Sequence, residues 1–75
     1  MPKLKRISGK KAIRALEKLG FVRVRQRGSH VVLRKETNKG DLGCVIPLHK
    51  ELAVGTLRGI LNQAQVSPED FTDQL

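Results

Sequence analysis

Residues 21–36, "FVRVRQRGSHVVLRKE", constrain the fold more than any other stretch, because apolar and polar side chains alternate on both sides of a central Gly-Ser pair. Alternation at period two is the pattern of a half-buried strand, and glycine accepts the positive φ demanded at the first central position of a type II′ turn. The stretch therefore predicts a β-hairpin with Gly28 and Ser29 as its two turn residues. In that register Arg27 lies opposite His30, Gln26 opposite Val31, Arg25 opposite Val32, Val24 opposite Leu33 and Arg23 opposite Arg34. Val22, Val24, Val31 and Leu33 then form one apolar face for helices to cover, while Arg23, Arg25, Arg27, His30 and Arg34 share the other. A slip of one residue would drive the arginines into the core.

The flanking segments supply the cover. Ser8 can cap a helix over about residues 9–19, with Ala12, Ile13, Leu16 and Leu19 on one stripe and Gly20 as its stop. After the hairpin, "NKGDLG" reads as a turn and "CVIP" as a third strand ended by Pro47, which has no amide hydrogen for a ladder. "TLRGILNQA" sets Leu57, Ile60, Leu61 and Ala64 on one helical face. The terminal "SPEDFTDQL" has Ser67 as cap, Pro68 at the first helical position and acids in the first turn, and its Phe71 and Leu75 can dock on the core.

A chain of 75 residues supports one domain, and with two aromatics, Phe21 and Phe71, its core must be built from Val, Ile and Leu. Cys44 is the only cysteine, so no internal disulfide forms, and with His30 and His49 it makes no zinc-binding spacing. No apolar run is long enough to span a membrane, and the basic N-terminus lacks the apolar stretch of a signal peptide. A cytoplasmic protein without metal, cofactor or membrane contact is the expectation.

Charge is distributed unevenly. Residues 1–35 carry twelve Lys and Arg against Glu17, a net +11, whereas residues 36–75 carry three against six acids, a net −3, together the +8 of the whole chain. Such a concentrated excess, with a pI near 10.4, points to a polyanionic partner, above all nucleic acid. Facing arginines at positions 23 and 34 would repel each other unless an anion lay over them. A histidine on that face adds a chemical possibility. Cleaving RNA without a metal needs a group that takes the 2′-hydroxyl proton or gives one to the leaving 5′-oxygen, and cations that hold the charge developing on phosphorus. Histidine titrates nearest to neutral pH and can fill either role.

The segments "SGKKAIRALEKLGFVRVRQRGSHVVLRK" and "VIPLHKELAVGTLRGILNQAQVSPEDF", above all "GFVRVRQRGSH" and "VIPLH" followed by "GTLRGIL", resemble the HicA family of small toxins, also called YcfA-like mRNA interferases, over essentially the whole chain, residues 1–75. The resemblance implies an α+β fold like that of the double-stranded RNA-binding domain, α-β-β-β-α, here followed by a short C-terminal helix. It implies a metal-independent endoribonuclease acting on mRNA, with His30 of the "GSH" motif as the catalytic residue and Gly28 shaping the turn that presents it. It implies a HicB-type antitoxin as partner, covering the active surface, and a toxin that is monomeric on its own. One departure is the run Val31, Val32, Leu33, where family members often carry an aromatic or a second histidine, so stacking on bases is limited here.

Arg23, Arg25, Arg27 and Arg34, with Lys10 and Lys11 at the first helix start, are the expected RNA contacts. Ser29 is explained by the turn, and Cys44 by a strand position. His49 is read as a polar loop residue, with a second proton-transfer role as the alternative. Two other classes share the fold and the charge: a non-catalytic RNA-binding module, and a DNA-binding subunit of a repressor complex.

Overall fold

The computed structural model describes residues 3–75. The elements follow in the order α1 (Gly9–Lys18), β1 (Val22–Arg27), β2 (His30–Thr37), β3 (Gly40–Pro47), α2 (Val54–Ala64) and α3 (Pro68–Asp73). This is the predicted α+β arrangement of helix, three antiparallel strands, helix and short C-terminal helix, with the strands in the order β1-β2-β3. Among the described residues no helix is long and apolar enough to cross a membrane.

The local signals act as expected. Ser8 Oγ accepts from Lys11 N at 3.1 Å and Ser67 Oγ from Asp70 N at 3.1 Å, each satisfying one orphan amide of its helix; such a cap contributes about 1 kcal/mol. Gly28 has φ +55° while Ser29 keeps a negative φ, the backbone combination of a type II′ turn. Ala12, Ile13 and Leu16 of α1 and Leu57, Ile60 and Leu61 of α2 pack on Val31, Leu33, Cys44 and Ile46 of the sheet. Phe71 is fully buried and anchors α3; burying a side chain of this kind contributes about 1.5–3 kcal/mol. Leu75, also expected on the core, is 57% exposed instead. α3 ends at Asp73, short of Leu75.

Three further expectations are corrected. The third strand begins at Gly40 rather than Cys44, and the turn before it contracts to Asn38 and Lys39, braced by Thr37 Oγ1, which accepts from Lys39 N at 3.2 Å. Leu42, Cys44 and Ile46 face the core in alternation with Asp41, Gly43 and Val45 on the open face, but Gly40, Asp41 and Gly43 are residue types of turns and are depleted in strands, so the segment reads as a turn.

The other two corrections concern β1. Its pairing runs as predicted through Arg27↔His30, Gln26↔Val31 and Arg25↔Val32, and then a β-bulge intervenes, so that Arg23 lies opposite Leu33 and Val22 opposite Arg34. Val24 is the extra residue. Beyond it the two faces exchange: Arg23 turns toward the helices, Val22 toward Arg34, and the predicted Arg23–Arg34 confrontation does not exist. Val22 and Val24, assigned to the core by alternation, are 58% and 52% exposed. The cause is coverage. The helices pack chiefly on β3, and every residue of β1 is exposed, so burial never enforces a single register on this strand.

The start of α1 is seated by close backbone approach. Gly9 N donates to His49 O at 2.9 Å and Leu52 N to Ile7 O at 2.7 Å, fastening both sides of the helix start to the loop after β3. A Cβ at Gly9 would collide with the Pro47 carbonyl oxygen, backbone that cannot step aside. Gly9→Ala should therefore destabilise the protein by about 1–3 kcal/mol in urea denaturation. Gly59→Ala in α2, where a Cβ meets nothing within 4 Å, should stabilise it by about 0.5–1 kcal/mol.

Candidate nucleic-acid interface

His30 is the first residue of β2, exposed beside the turn, with Arg27 opposite it on β1 and Pro47 opposite it on β3. Directly opposed side chains in an antiparallel pair have Cβ atoms about 4.5–5.5 Å apart, so the Arg27 guanidinium and the His30 imidazole can reach one ligand. Arg25 lies two residues back along β1 on the same face, opposite Val32. The turn is held from both sides. Gln26 Nε2 donates to Gly28 O at 3.0 Å, and Leu48 N donates to Ser29 O at 2.6 Å.

The four arginines assigned to one face are divided by the structure. Arg23, turned by the bulge, lies near Glu17 of α1, with Nε 3.9 Å from Oε2. Arg34 donates a hydrogen bond to Asp41 across β2 and β3, and that bond together with the carboxylate charge pushes its already high pKa further up. Arg25 and Arg27 make no ion pair among the described residues. The unneutralised charge of the open face therefore lies beside His30. Asp41 carries no strand signal, since "NKGDLG" reads as a turn; with β3 starting at Gly40, Asp41 pairs with Glu36 and falls diagonal to Arg34.

Lys10 and Lys11 occupy the first turn of α1. Lys10 lines a shallow depression with Ser8, Leu48, His49 and Lys50. Because the Leu48 amide is bonded to the turn and the His49 carbonyl to Gly9, this depression lies at the same end of the sheet as His30. Sequence reasoning missed Gly9, whose role depends on a neighbour 38 positions away in the chain. His49 reads locally as a polar loop residue, with a second proton-transfer role as the alternative, since nothing local links it to the hairpin.

Among the described residues no group of three or more His, Cys, Asp or Glu is placed to hold a metal ion. Cys44 is buried in the sheet, and burial pushes its thiol up to about 11, away from the thiolate a nucleophile needs. A thiol reagent at pH 8 should label Cys44 rapidly in denatured protein and, in native protein, only at the rate of opening. With a folded pKa above the ordinary 9, Cys44 favours the native state below pH 9, and that contribution is lost as pH rises toward 11.

The family model for the HicA toxin of bacterial toxin-antitoxin systems matches residues 9–66, and the chain belongs to that family. The protein is thus a toxin of a toxin–antitoxin pair, and its partner is a cognate antitoxin. No curated protein matches the chain. Every residue assigned to the site, from Lys10 and Lys11 through Gly28, Ser29 and His30 to Arg34, falls inside the matched segment.

Proposed function

We propose that this toxin is a metal-independent endoribonuclease whose catalytic residue is His30, acting on mRNA in the cytoplasm until a HicB-type antitoxin covers the site. The observation that carries this is the placement of His30: exposed beside a glycine turn, opposed by Arg27 and followed along β1 by Arg25, both without a carboxylate partner among the described residues. Residues 1–75 act as one toxin domain.

The chemistry follows from those groups. Arg25 and Arg27 hold the phosphodiester and stabilise the charge that builds on its oxygens in the transition state. His30 moves a proton at the 2′-oxygen or the 5′-oxygen, and general acid–base catalysis of this kind is worth about 10²–10⁴-fold in rate. The fold holds the imidazole in place through the turn: Gly28 supplies the positive φ, and the Ser29 carbonyl is pinned by Leu48. Lys10 and Lys11 extend the cationic surface, and Arg34 joins it with its charge already shared with Asp41.

Wild-type protein should cleave a single-stranded RNA in excess chelator, and His30→Ala should bind that RNA with nearly unchanged affinity while cleaving it at least about 10²-fold more slowly. Equal cleavage by the variant would remove His30 from the mechanism. Absence of cleavage by wild type, with RNA still bound, would leave a non-catalytic RNA-binding module; preference for duplex DNA at fixed salt would favour a repressor subunit.

The division of the arginines gives a second measurable consequence. Arg25→Ala or Arg27→Ala should weaken RNA binding and lower the salt dependence of log K by about 0.7 per lost phosphate contact on a single strand. Arg23→Ala and Arg34→Ala should do less, because each removes a cation whose charge Glu17 or Asp41 already offsets. A filter-binding titration across salt concentrations separates the two pairs.

A further inference from the structure

Transphosphorylation of RNA moves two protons. The 2′-hydroxyl gives one up as its oxygen bonds to phosphorus, and the 5′-oxygen takes one as its bond to phosphorus breaks, leaving a 2′,3′-cyclic phosphate and a free 5′-hydroxyl. No water or further reactant is consumed. The two oxygens lie on opposite sides of the phosphorus, so two groups serve the two transfers better than one. The chain contains two histidines, His30 and His49, and histidine is the side chain whose ordinary titration falls near neutral pH.

The sheet brings these two together. Pro47 is the cross-strand partner of His30, and His49 stands two residues beyond it. The strand relation persists past the last ladder pair, because Leu48 N donates to Ser29 O at 2.6 Å. Leu48 packs against the core while His49 is exposed, which is the alternation that returns His49 to the side of Pro47 and His30. Diagonal positions of this kind are about 7–8 Å apart, within reach of long and aromatic side chains and wide enough to admit a phosphodiester between two imidazoles. The His49 backbone is fixed by Gly9 N at 2.9 Å. Lys10 of α1 and Lys50 of the loop line the same depression as His49, Glu51 follows in the loop, and Arg27 stands on the far side of β2, opposite His30. His49 itself makes no ion pair among the described residues.

We infer that His49 is the second proton-transfer group of the site, working across the scissile phosphate from His30. This rests on the nuclease reading and adds to it a residue and a division of labour.

The test compares the full chain with its His49→Gln and His49→Lys variants on one RNA oligonucleotide, in excess chelator, across pH 5–9. Wild type should show a bell-shaped profile. His49→Gln should bind RNA with nearly unchanged affinity, lose about 10²–10⁴-fold in cleavage rate and lose one limb of the bell. His49→Lys keeps the positive charge and should not restore the rate. A substrate with sulfur in place of the 5′-bridging oxygen needs no proton to depart, so it should rescue one of His30→Ala and His49→Gln and not the other. A full bell in His49→Gln, or recovery in His49→Lys, would overturn the inference while leaving His30 as the nuclease residue. An inactive wild type would instead overturn the nuclease reading and this inference with it.

Discussion

Two backbone hydrogen bonds at the exit of β3 hold the working end of the molecule together. Leu48 N reaches the Ser29 carbonyl in the hairpin turn, and the His49 carbonyl receives the amide of Gly9 at the start of α1. Between them they join three segments that are far apart in the chain. The hairpin turn, the loop that carries His49 and the first turn of α1 are brought to one end of the sheet by these two bonds. The absence of a side chain at position 9 is the condition for the second bond, since the Pro47 carbonyl occupies the space a Cβ would need.

Electrostatics then select among the cations. The chain carries a strong positive excess, but its few acids are placed where they subtract from particular arginines: Glu17 lies near Arg23 and Asp41 is bonded to Arg34. Both pairs are solvent-exposed and contribute little to stability. Their effect is on the field over the sheet, where Arg25 and Arg27 stand without such partners beside His30. A polyanion approaching the open face therefore meets a gradient rather than a uniform positive surface.

Much of this was readable from residue order. The Gly28-Ser29 turn, the serine caps, the stripes of α1 and α2 and the first three pairs of the hairpin all follow from local chemistry, and the structure has them. The failures share a cause. Alternation identifies a strand that is half buried, and no residue of β1 reaches the core, so Val22 and Val24 carry a pattern with no core behind it. The bulge at Val24 and the new partner of Arg23 follow from that missing constraint. The early start of β3 was hidden for the reverse reason, because Asp41 and Gly43 lack the side chains that mark a strand. The contact between Gly9 and the His49 carbonyl is tertiary, and no local pattern announces it. The role proposed for His30 rests on family resemblance, and its setting on the register.

The exposure of β1 has a consequence for how such a protein can change over generations. Substitutions on a fully exposed strand usually alter stability by no more than about 0.5 kcal/mol, whereas those in the Leu33, Ile46 and Leu57 core carry the full cost of altered packing. The strand that bears Arg25 and Arg27 is thus free to vary almost independently of the scaffold. A new pattern of charge on that surface can be sampled residue by residue without first finding a compensating change inside, while the turn and the β3 exit stay as they are.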